Sequence, residues 1–391
     1  MTRLPALMLT VALSSVAVDG QVPPPPIVGT SHEVIPHART MPFANLAAGQ
    51  VLVTWTPQNV RCGGVPIAFS QAPAPMPALS WSGAANILKS VDYSFTVDAA
   101  GRPLDVGRGS KEYLPAGTDL APALVAAKFA PGNPRQGCSL TFVPAASAVL
   151  EASVTALMTY IMFPEQRPTP AMFAQIRPVG STCFDPPPEI RNRAFPAFDS
   201  IPKQPGQAGW SMIGFDIDAR GKPVHLKHEA GNGNAVLDKA SLAAVADSKF
   251  APGARTGCQY PYWIAAATLP PPPIPEEAPF RPANATCPLK ADWATKPPLN
   301  YPRNFGRRWI EGWAIIGYDV ASWGETGNVR VLASQPSAEF GEQALQMLSS
   351  AKWAASATGY VGCVDRVAFR MPRPGAKPNT PDAAENVPLP F

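Results

Sequence analysis

Gly209–Ile217 (GWSMIGFDI) and Gly312–Val320 (GWAIIGYDV) are two copies of one apolar stretch. Their apolar side chains alternate with less apolar ones, which predicts a β-strand at each place. A turn follows the first copy, where Asp218 can cap the turn with its side chain and Gly221 can supply a positive φ. Each stretch therefore predicts the first strand of a β-hairpin.

A weaker copy of the pattern begins at Val91–Val97 (VDYSFTV) and turns at Asp98. In every copy a second strand follows the turn, and a segment with apolar residues at helical spacing comes next. Each helical segment ends at an aromatic residue: Phe129, Phe250 or Trp353. A last strand closes each copy. This order predicts an antiparallel sheet with its helices on one face, and a buried role for Trp210, Trp313 and the three aromatic residues at the helix ends.

Six cysteines form three evenly spaced pairs. The separations are 76, 75 and 76 positions for Cys62 and Cys138, Cys183 and Cys258, and Cys287 and Cys363. One cysteine of each pair precedes a copy of the hairpin, and the other begins its last strand. The sequence therefore predicts an α+β protein of three tandem two-layer units, each closed by its own disulfide.

Proline-rich stretches suggest where these units begin and end, because proline clusters form stiff, extended connections. The predicted segments are a signal peptide (1–20), a proline-rich N-terminal segment (21–50), unit 1 (51–148), a connecting element (149–178), unit 2 (179–268), a proline-rich linker (269–283), unit 3 (284–373) and a flexible tail (374–391). The apolar residues 140–163 are interpreted as a buried strand plus a short connecting element, with a membrane-spanning helix as the alternative.

The composition argues against several classes of function. Of 391 residues 49 are proline and 15% are charged, and the formal net charge is +4 without a concentrated basic block. Nucleic acid is therefore not a predicted partner. No phosphate-binding loop, nucleophile elbow or Cys-x-x-Cys pair occurs in the sequence. His225 and His228 are interpreted as solvent-facing strand residues rather than metal ligands.

We accordingly predict a protein that is not an enzyme and has no cofactor. An enzyme or small-ligand binder that uses the clefts between the units stays as an alternative.

The N-terminus is typical of an export signal. Arg3 precedes an apolar run at residues 4–18, and small residues follow at 15–17. Export leads to an oxidising compartment, where paired cysteines become disulfides. An uncleaved anchor is the alternative, and sequencing the mature N-terminus distinguishes the two.

Unit 3 contains an ordered set of motifs: Tyr301-Pro302, residues 307–312, Gly312–Val320, residues 327–331, Phe340, residues 344–345 and Trp353. This set resembles the C-terminal domain of the TonB energy transducers. The resemblance implies three antiparallel strands packed against two helices, and binding of an extended segment of an outer-membrane receptor by strand addition. The peptide-contact residues implied by the resemblance are Tyr301, Pro302, Arg303, Arg307, Arg308, Arg366, Val367 and Phe369.

The combined expectation is a non-catalytic protein in the periplasm of a Gram-negative bacterium. Its partner would be an extended peptide segment of an envelope or outer-membrane receptor protein, with membrane contact only if the N-terminus is uncleaved. The alternatives are a membrane-anchored energy transducer and a structural envelope spacer. Arg303, Arg307 and Arg308 form one local basic cluster, which is either a solvated face or a contact for an acidic partner segment.

Overall fold

The computed structural model describes residues 49–85, 88–110, 112–114, 116–184, 186–289 and 291–372. The predicted signal peptide, nearly all of the predicted N-terminal proline-rich segment and the predicted tail lie outside these residues. The described chain is a mixed α+β protein with antiparallel sheets, short helices and three disulfides. Among the described residues, none of the helices has the length and apolar character that crossing a membrane requires.

The first sheet is built from residues 50–148. Its elements are β1 (Gln50–Cys62), β2 (Val65–Pro66), β3 (Phe69–Gln71), β4 (Ala78–Trp81), α1 (Ser82–Ala85), β5 (Val91–Val97), β6 (Pro103–Arg108), α2 (Leu120–Val125), β7 (Lys128–Phe129) and β8 (Arg135–Ala148). The strand order is β2-β1-β8-β5-β6, with β4 paired to β1, while β3 and β7 form a separate pair.

The second sheet has three strands, in the order β11-β10-β13. The elements of this region are α3 (Val154–Met162), α4 (Pro170–Ile176), β9 (Ile190–Asn192), a 3₁₀ turn (Phe198–Ser200), β10 (Gly209–Ile217), β11 (Pro223–Gly231), α5 (Ala235–Asp247), β12 (Lys249–Phe250) and β13 (Arg255–Ile264). The short strands β9 and β12 pair with each other.

The third sheet repeats this arrangement, in the order β16-β15-β18. Its elements are a 3₁₀ turn (Ala278–Phe280), β14 (Trp293–Thr295), α6 (Arg303–Arg307), β15 (Gly312–Val320), β16 (Thr326–Gln335), α7 (Ala338–Ser349), β17 (Lys352–Trp353) and β18 (Tyr360–Phe369). Here β14 pairs with β17.

The predicted hairpin turns form through the residues that the sequence indicated. Asp98 accepts a hydrogen bond from the Arg102 amide at 2.8 Å, and Asp218 accepts one from the Lys222 amide at 2.8 Å. The hydrogen bond from the Lys222 amide, together with one from the Arg220 amide at 2.9 Å, lowers the pKa of Asp218. Gly221 has φ +83°, and a Cβ there would lie 2.2 Å from the Phe250 carbonyl oxygen, so only glycine closes this turn without strain.

The three disulfides join the predicted cysteines, and they occupy the same register in each sheet. The bonds are Cys62–Cys138, Cys183–Cys258 and Cys287–Cys363. In the antiparallel pairing of the strands, Phe95 lies opposite Cys138, Phe215 lies opposite Cys258 and Tyr318 lies opposite Cys363. In each sheet the second cysteine therefore lies on the last strand, opposite an aromatic residue of the first hairpin strand.

The expectation of helices on one face does not hold for the second sheet. Helix α5 covers one face through Leu237 and Val245. Helices α3 and α4 cover the other face, where Trp210 and Met212 meet Met158 in a core that also reaches the first sheet. Both faces of β10 are apolar, and each face needs a covering layer. Residues 149–178, expected as a connecting element, thus form a packed layer of two helices after β8.

The expected linker at 269–283 is also packed rather than a free spacer. The Leu269 amide donates to the Trp309 carbonyl at 2.8 Å, and the Trp313 indole donates to the Pro272 carbonyl at 2.9 Å. Ile274 and Phe280 cover the side of the third sheet that α7 leaves open. The apolar residues on that side would otherwise face water.

The first and third sheets share one apolar core. It contains Leu124 and Phe142 from the first region together with Phe340 and Phe369 from the third. Small two-layer units bury limited surface alone, so merging two cores increases what each unit buries. A row of three independent beads, as the spacer alternative requires, does not describe this packing.

Candidate functional site

The last strands β8, β13 and β18 differ in what lies along their outer edges. The outer edge of β8 pairs with β1, antiparallel, from Val51 opposite Ala148 to Cys62 opposite Cys138. Within the described residues, no strand pairs with the outer edge of β13 or of β18. The first sheet thus already carries an added strand at the position that is open in the other two.

The two open edges are not equally suited to strand pairing. Pro261 lies in the middle of β13 and has no amide hydrogen to donate. Proline of this kind protects an edge strand from pairing with another chain. Strand β18 reads YVGCVDRVAF and contains no proline. Every residue of β18 therefore has an amide hydrogen that could be donated to a neighbouring strand.

One end of the β18 edge is held by the preceding chain. The Thr286 amide donates to the Val361 carbonyl at 3.0 Å, and the Val361 amide donates to the Thr286 hydroxyl at 2.9 Å. Further along, Arg366 lies 3.4 Å from Glu277 and 3.6 Å from Glu276. Its side chain is 39% exposed, so an acidic side chain of a partner could compete for it.

Four of the predicted contact residues are buried or half-buried, two of them beside β18 and two on it. The Tyr301 hydroxyl donates to the Ile310 carbonyl at 2.6 Å, and its ring lies 5.8 Å from that of Phe369. Burial raises the pKa of Tyr301 above its ordinary value. Pro302, Val367 and Phe369 are buried. These residues support β18 from the interior. Among the predicted contact residues on β18, Arg366 is the exposed one.

Two arginines of the basic cluster, Arg307 and Arg308, are neither solvated nor free to contact a partner. Arg303 is exposed. Arg307 lies 3.1 Å from Glu165 and donates to the Phe163 carbonyl at 2.8 Å. Arg308 is 2% exposed. Two of the three arginines therefore bind other parts of this chain, and a peptide-contact role is not carried over to them.

Arg308 joins all three regions of the molecule. Its Nε and Nη2 donate to the two carboxylate oxygens of Asp119 at 2.6 and 2.5 Å. The guanidinium also donates to the carbonyls of Ala74 at 2.8 Å and Gly206 at 3.2 Å. Asp119 could not be predicted from the sequence, because no local pattern around it indicates a partner 189 positions away.

The two described histidines, on the second hairpin strand of the second sheet, each lie beside a carboxylate. His225 lies 2.9 Å from Asp216, and His228 lies 3.1 Å from Asp238. The hydrogen bond from His225 lowers the pKa of Asp216. Among the described residues, no group of three or more histidine, cysteine or acidic side chains could hold a metal ion. His32 and His37 lie outside the described residues.

A half-buried carboxyl lies where α7 meets the first sheet. Burial, and next the charge of Glu342, raise the pKa of Glu339 to about 7, although Arg108 acts in the opposite direction. Asp119 also contributes to the increase. Neutralising this carboxyl relieves both the desolvation cost and the repulsion between acidic groups.

We expect Glu339 to make stability depend on pH. Its pKa in the folded state lies above the unfolded value. Its contribution to the free energy of unfolding is therefore fully present below about pH 4.5 and is lost as the pH rises through about 7. Glu339→Gln should therefore flatten the decrease in the free energy of unfolding between about pH 5 and 8. Chemical unfolding across this pH range measures the free energy of unfolding, and Glu151→Gln at an exposed position is the control. Equal slopes in E339Q and the unmodified protein would rule this out.

The third sheet is also the part of the chain that matches a known family. Residues 297–367 match the family model described as the C-terminal region of the Gram-negative bacterial TonB protein. The match begins just before α6 and ends within β18, and it covers about a fifth of the chain. No curated protein matches the chain.

Proposed function

We propose, from the premise that residues 297–367 match the TonB C-terminal family, that this chain is a TonB-like protein of the Gram-negative envelope. In this proposal it is exported to the periplasm, is not an enzyme and binds extended segments of outer-membrane proteins. The bound segment would add to β18 as a further antiparallel strand. The observation that carries the proposal is the unpaired, proline-free edge of β18 within the matched region.

The pairing of β1 with β8 supports this binding mode. Strand β8 occupies the same place in the first sheet as β18 does in the third, because Phe95 is opposite Cys138 and Tyr318 is opposite Cys363. This chain thus already uses an antiparallel strand to complete one such sheet. Each added backbone hydrogen bond contributes about 0.5–1.5 kcal/mol net, so several of them are needed for useful affinity.

We also interpret the three sheets as divergent copies of one unit, with different roles for their last strands. The edge of β8 is occupied by β1, and the edge of β13 contains Pro261. Only the third copy combines an open edge with an exposed cation, Arg366. Selectivity for a partner would come from the side chains along β18, since main-chain hydrogen bonds are largely independent of sequence.

The proposal can be tested with the exported, oxidised full chain and a panel of short peptides from the periplasmic segments of outer-membrane proteins. We expect a binding peptide to protect the amides of β18 from hydrogen exchange. Arg366→Glu should weaken binding about tenfold, which corresponds to about 1.4 kcal/mol. N-methylation at alternate peptide positions should abolish binding, because it removes the donors that an added strand needs.

The matched control is Arg330→Glu on β16, an exposed arginine on the opposite edge of the same sheet. It makes the same change in charge and should leave the affinity unchanged. Protection that maps to β16 instead of β18, or a panel that protects neither strand at saturating peptide, would overturn the proposal.

A further inference from the structure

Three aromatic rings meet beside the disulfide-bearing strand in both the first and the third sheet. In the first sheet the Phe69 and Phe95 rings lie 4.5 and 5.8 Å from that of Phe129. In the third sheet the Trp293 ring lies 5.3 Å from that of Trp353 and 5.9 Å from that of Tyr318. In each group one ring is carried by a short strand, β3 or β14, that pairs with β7 or β17.

The second sheet has two of these rings and lacks the third. The Phe215 and Phe250 rings lie 5.6 Å apart, compared with 5.8 Å for Phe95 and Phe129 and 6.4 Å for Tyr318 and Trp353. Opposite Phe250, however, β9 carries Ile190, where β3 has Phe69 and β14 has Trp293. A cavity of about 60 Å³ lies between these side chains, and Ile190 is 38% exposed at its rim.

The wall of this cavity is mostly apolar and aromatic, and two of its polar side chains, Tyr260 and Arg193, bear on what it could bind. Tyr260 is 9% exposed, and its buried hydroxyl has no hydrogen-bond partner within the described structure. The Arg193 guanidinium lies 4.5 Å from the centre of the Tyr260 ring. Of the described residues that line the cavity, Arg193 alone carries a charge. The site therefore suits a ring with a negative charge next to it.

We propose that this cavity binds an aromatic side chain, with an acidic residue beside it, on an extended segment of a partner protein. The other two sheets indicate an aromatic ring, because a short strand supplies the third ring there. Arg193 indicates an acidic neighbour for that ring. The chain itself contains such a segment, because Asp292 precedes Trp293 on β14. A ring bound in this way would fill the partly open apolar cavity and make dispersion contacts with its walls.

This site is separate from the edge of β18. It lies on the second sheet, where Pro261 disfavours strand addition, and recognition would rest on one side chain rather than on a ladder of backbone hydrogen bonds. A partner could therefore be held at one site when the other has been disabled. Variants of Ile190 and of Arg366 test the two sites independently.

The probe is a capped peptide with the sequence of residues 289–297, carrying 5-fluorotryptophan at the position of Trp293. Titration with the full chain, followed by fluorine NMR, should shift or broaden the signal. An unlabelled peptide should compete for the site, but the same peptide with alanine in place of the tryptophan should not. Alanine in place of the aspartate should weaken competition several-fold, because it removes the partner of Arg193. Absence of any fluorine change at millimolar protein, or equal competition by the tryptophan-to-alanine peptide, would overturn the proposal.

Ile190→Trp tests the same site from the protein side. The new ring should fill the cavity as Trp293 does in the third sheet, and it should weaken peptide binding at least tenfold. The control is Val236→Trp, which adds the same ring at an exposed position of α5 and should bind the peptide normally. Unchanged binding to I190W would overturn the proposal. A wild-type dimer that I190W converts to monomer would also overturn it, because a second copy would then be the occupant.

Discussion

Replacing Arg308 with alanine is expected to lower the free energy of unfolding by about 3–5 kcal/mol, because the Asp119 carboxylate stays buried without its partner. Asp119 is 7% exposed and Arg308 is 2% exposed, so solvent cannot take over the lost interaction. The carbonyls of Ala74 and Gly206 lose a donor at the same time. Chemical unfolding of the oxidised full chain, followed by circular dichroism, measures the effect.

The matched control for this substitution is Arg303→Ala, at the start of the short helix that Arg308 directly follows. Arg303 is exposed, so its loss should change the free energy of unfolding by no more than about 0.5 kcal/mol. The double variant Asp119→Ala, Arg308→Ala should lose less than the sum of the two single variants, because neither charge is then left alone. Equal unfolding midpoints for R308A and R303A would show that the buried pair does not hold the three regions together.

Replacing Cys287 and Cys363 together with alanine is expected to cost about 2–4.5 kcal/mol. The bond closes a loop between residues 76 positions apart, and in the chain-entropy model a cross-link over such a loop removes about 4.5 kcal/mol of unfolded-state entropy. Without it, the chain before β14 is held to β18 by the two hydrogen bonds between Thr286 and Val361, by the ion pairs of Arg366 with two glutamates and by side-chain packing. We therefore expect faster amide exchange at the start of β18 as well.

Reduction of the unmodified protein provides the control for the cysteine variant. The oxidised protein should unfold at higher denaturant than the double alanine variant. Adding a reductant should lower the midpoint of the unmodified protein, and by more than that of the variant, which has one disulfide fewer to lose. The same midpoint for the oxidised protein and the variant, with the disulfide verified by mass spectrometry, would contradict the proposed contribution of this bond.

The hairpins, the turn residues and the disulfide pairs could be predicted because each rests on local rules. Alternation of apolar residues indicates a strand, Asp218 and Gly221 define a turn by their own chemistry, and even cysteine spacing indicates the pairs. Residues of this kind act on neighbours in the chain, or recur with a regular spacing. The resemblance of the third sheet to the TonB C-terminal domain could likewise be recognised from its ordered motifs, and the family match at residues 297–367 covers those motifs.

The covering layers could not be predicted in this way. Alternation along β10 shows that Trp210 and Met212 are apolar, but it does not say that α3 and α4 cover them. The same limit applied to residues 269–283, where proline content suggested a stiff spacer and the structure places Pro272 against Trp313. Proline favours extended backbone in both situations, and only the surrounding surface decides whether that backbone is packed or solvated.

The sequence alone therefore determined local features: the hairpin strands, their turns, the helices that follow and the cysteine pairs. Tertiary structure alone decided how these features pack together, which edges stay open and what the arginines contact. Arg308 demonstrates the difference, since its charge suggested a surface contact and its position buries it against Asp119, 189 positions away. The physical reason is that burial and ion pairing depend on distances in space, whereas local patterns report only distances along the chain.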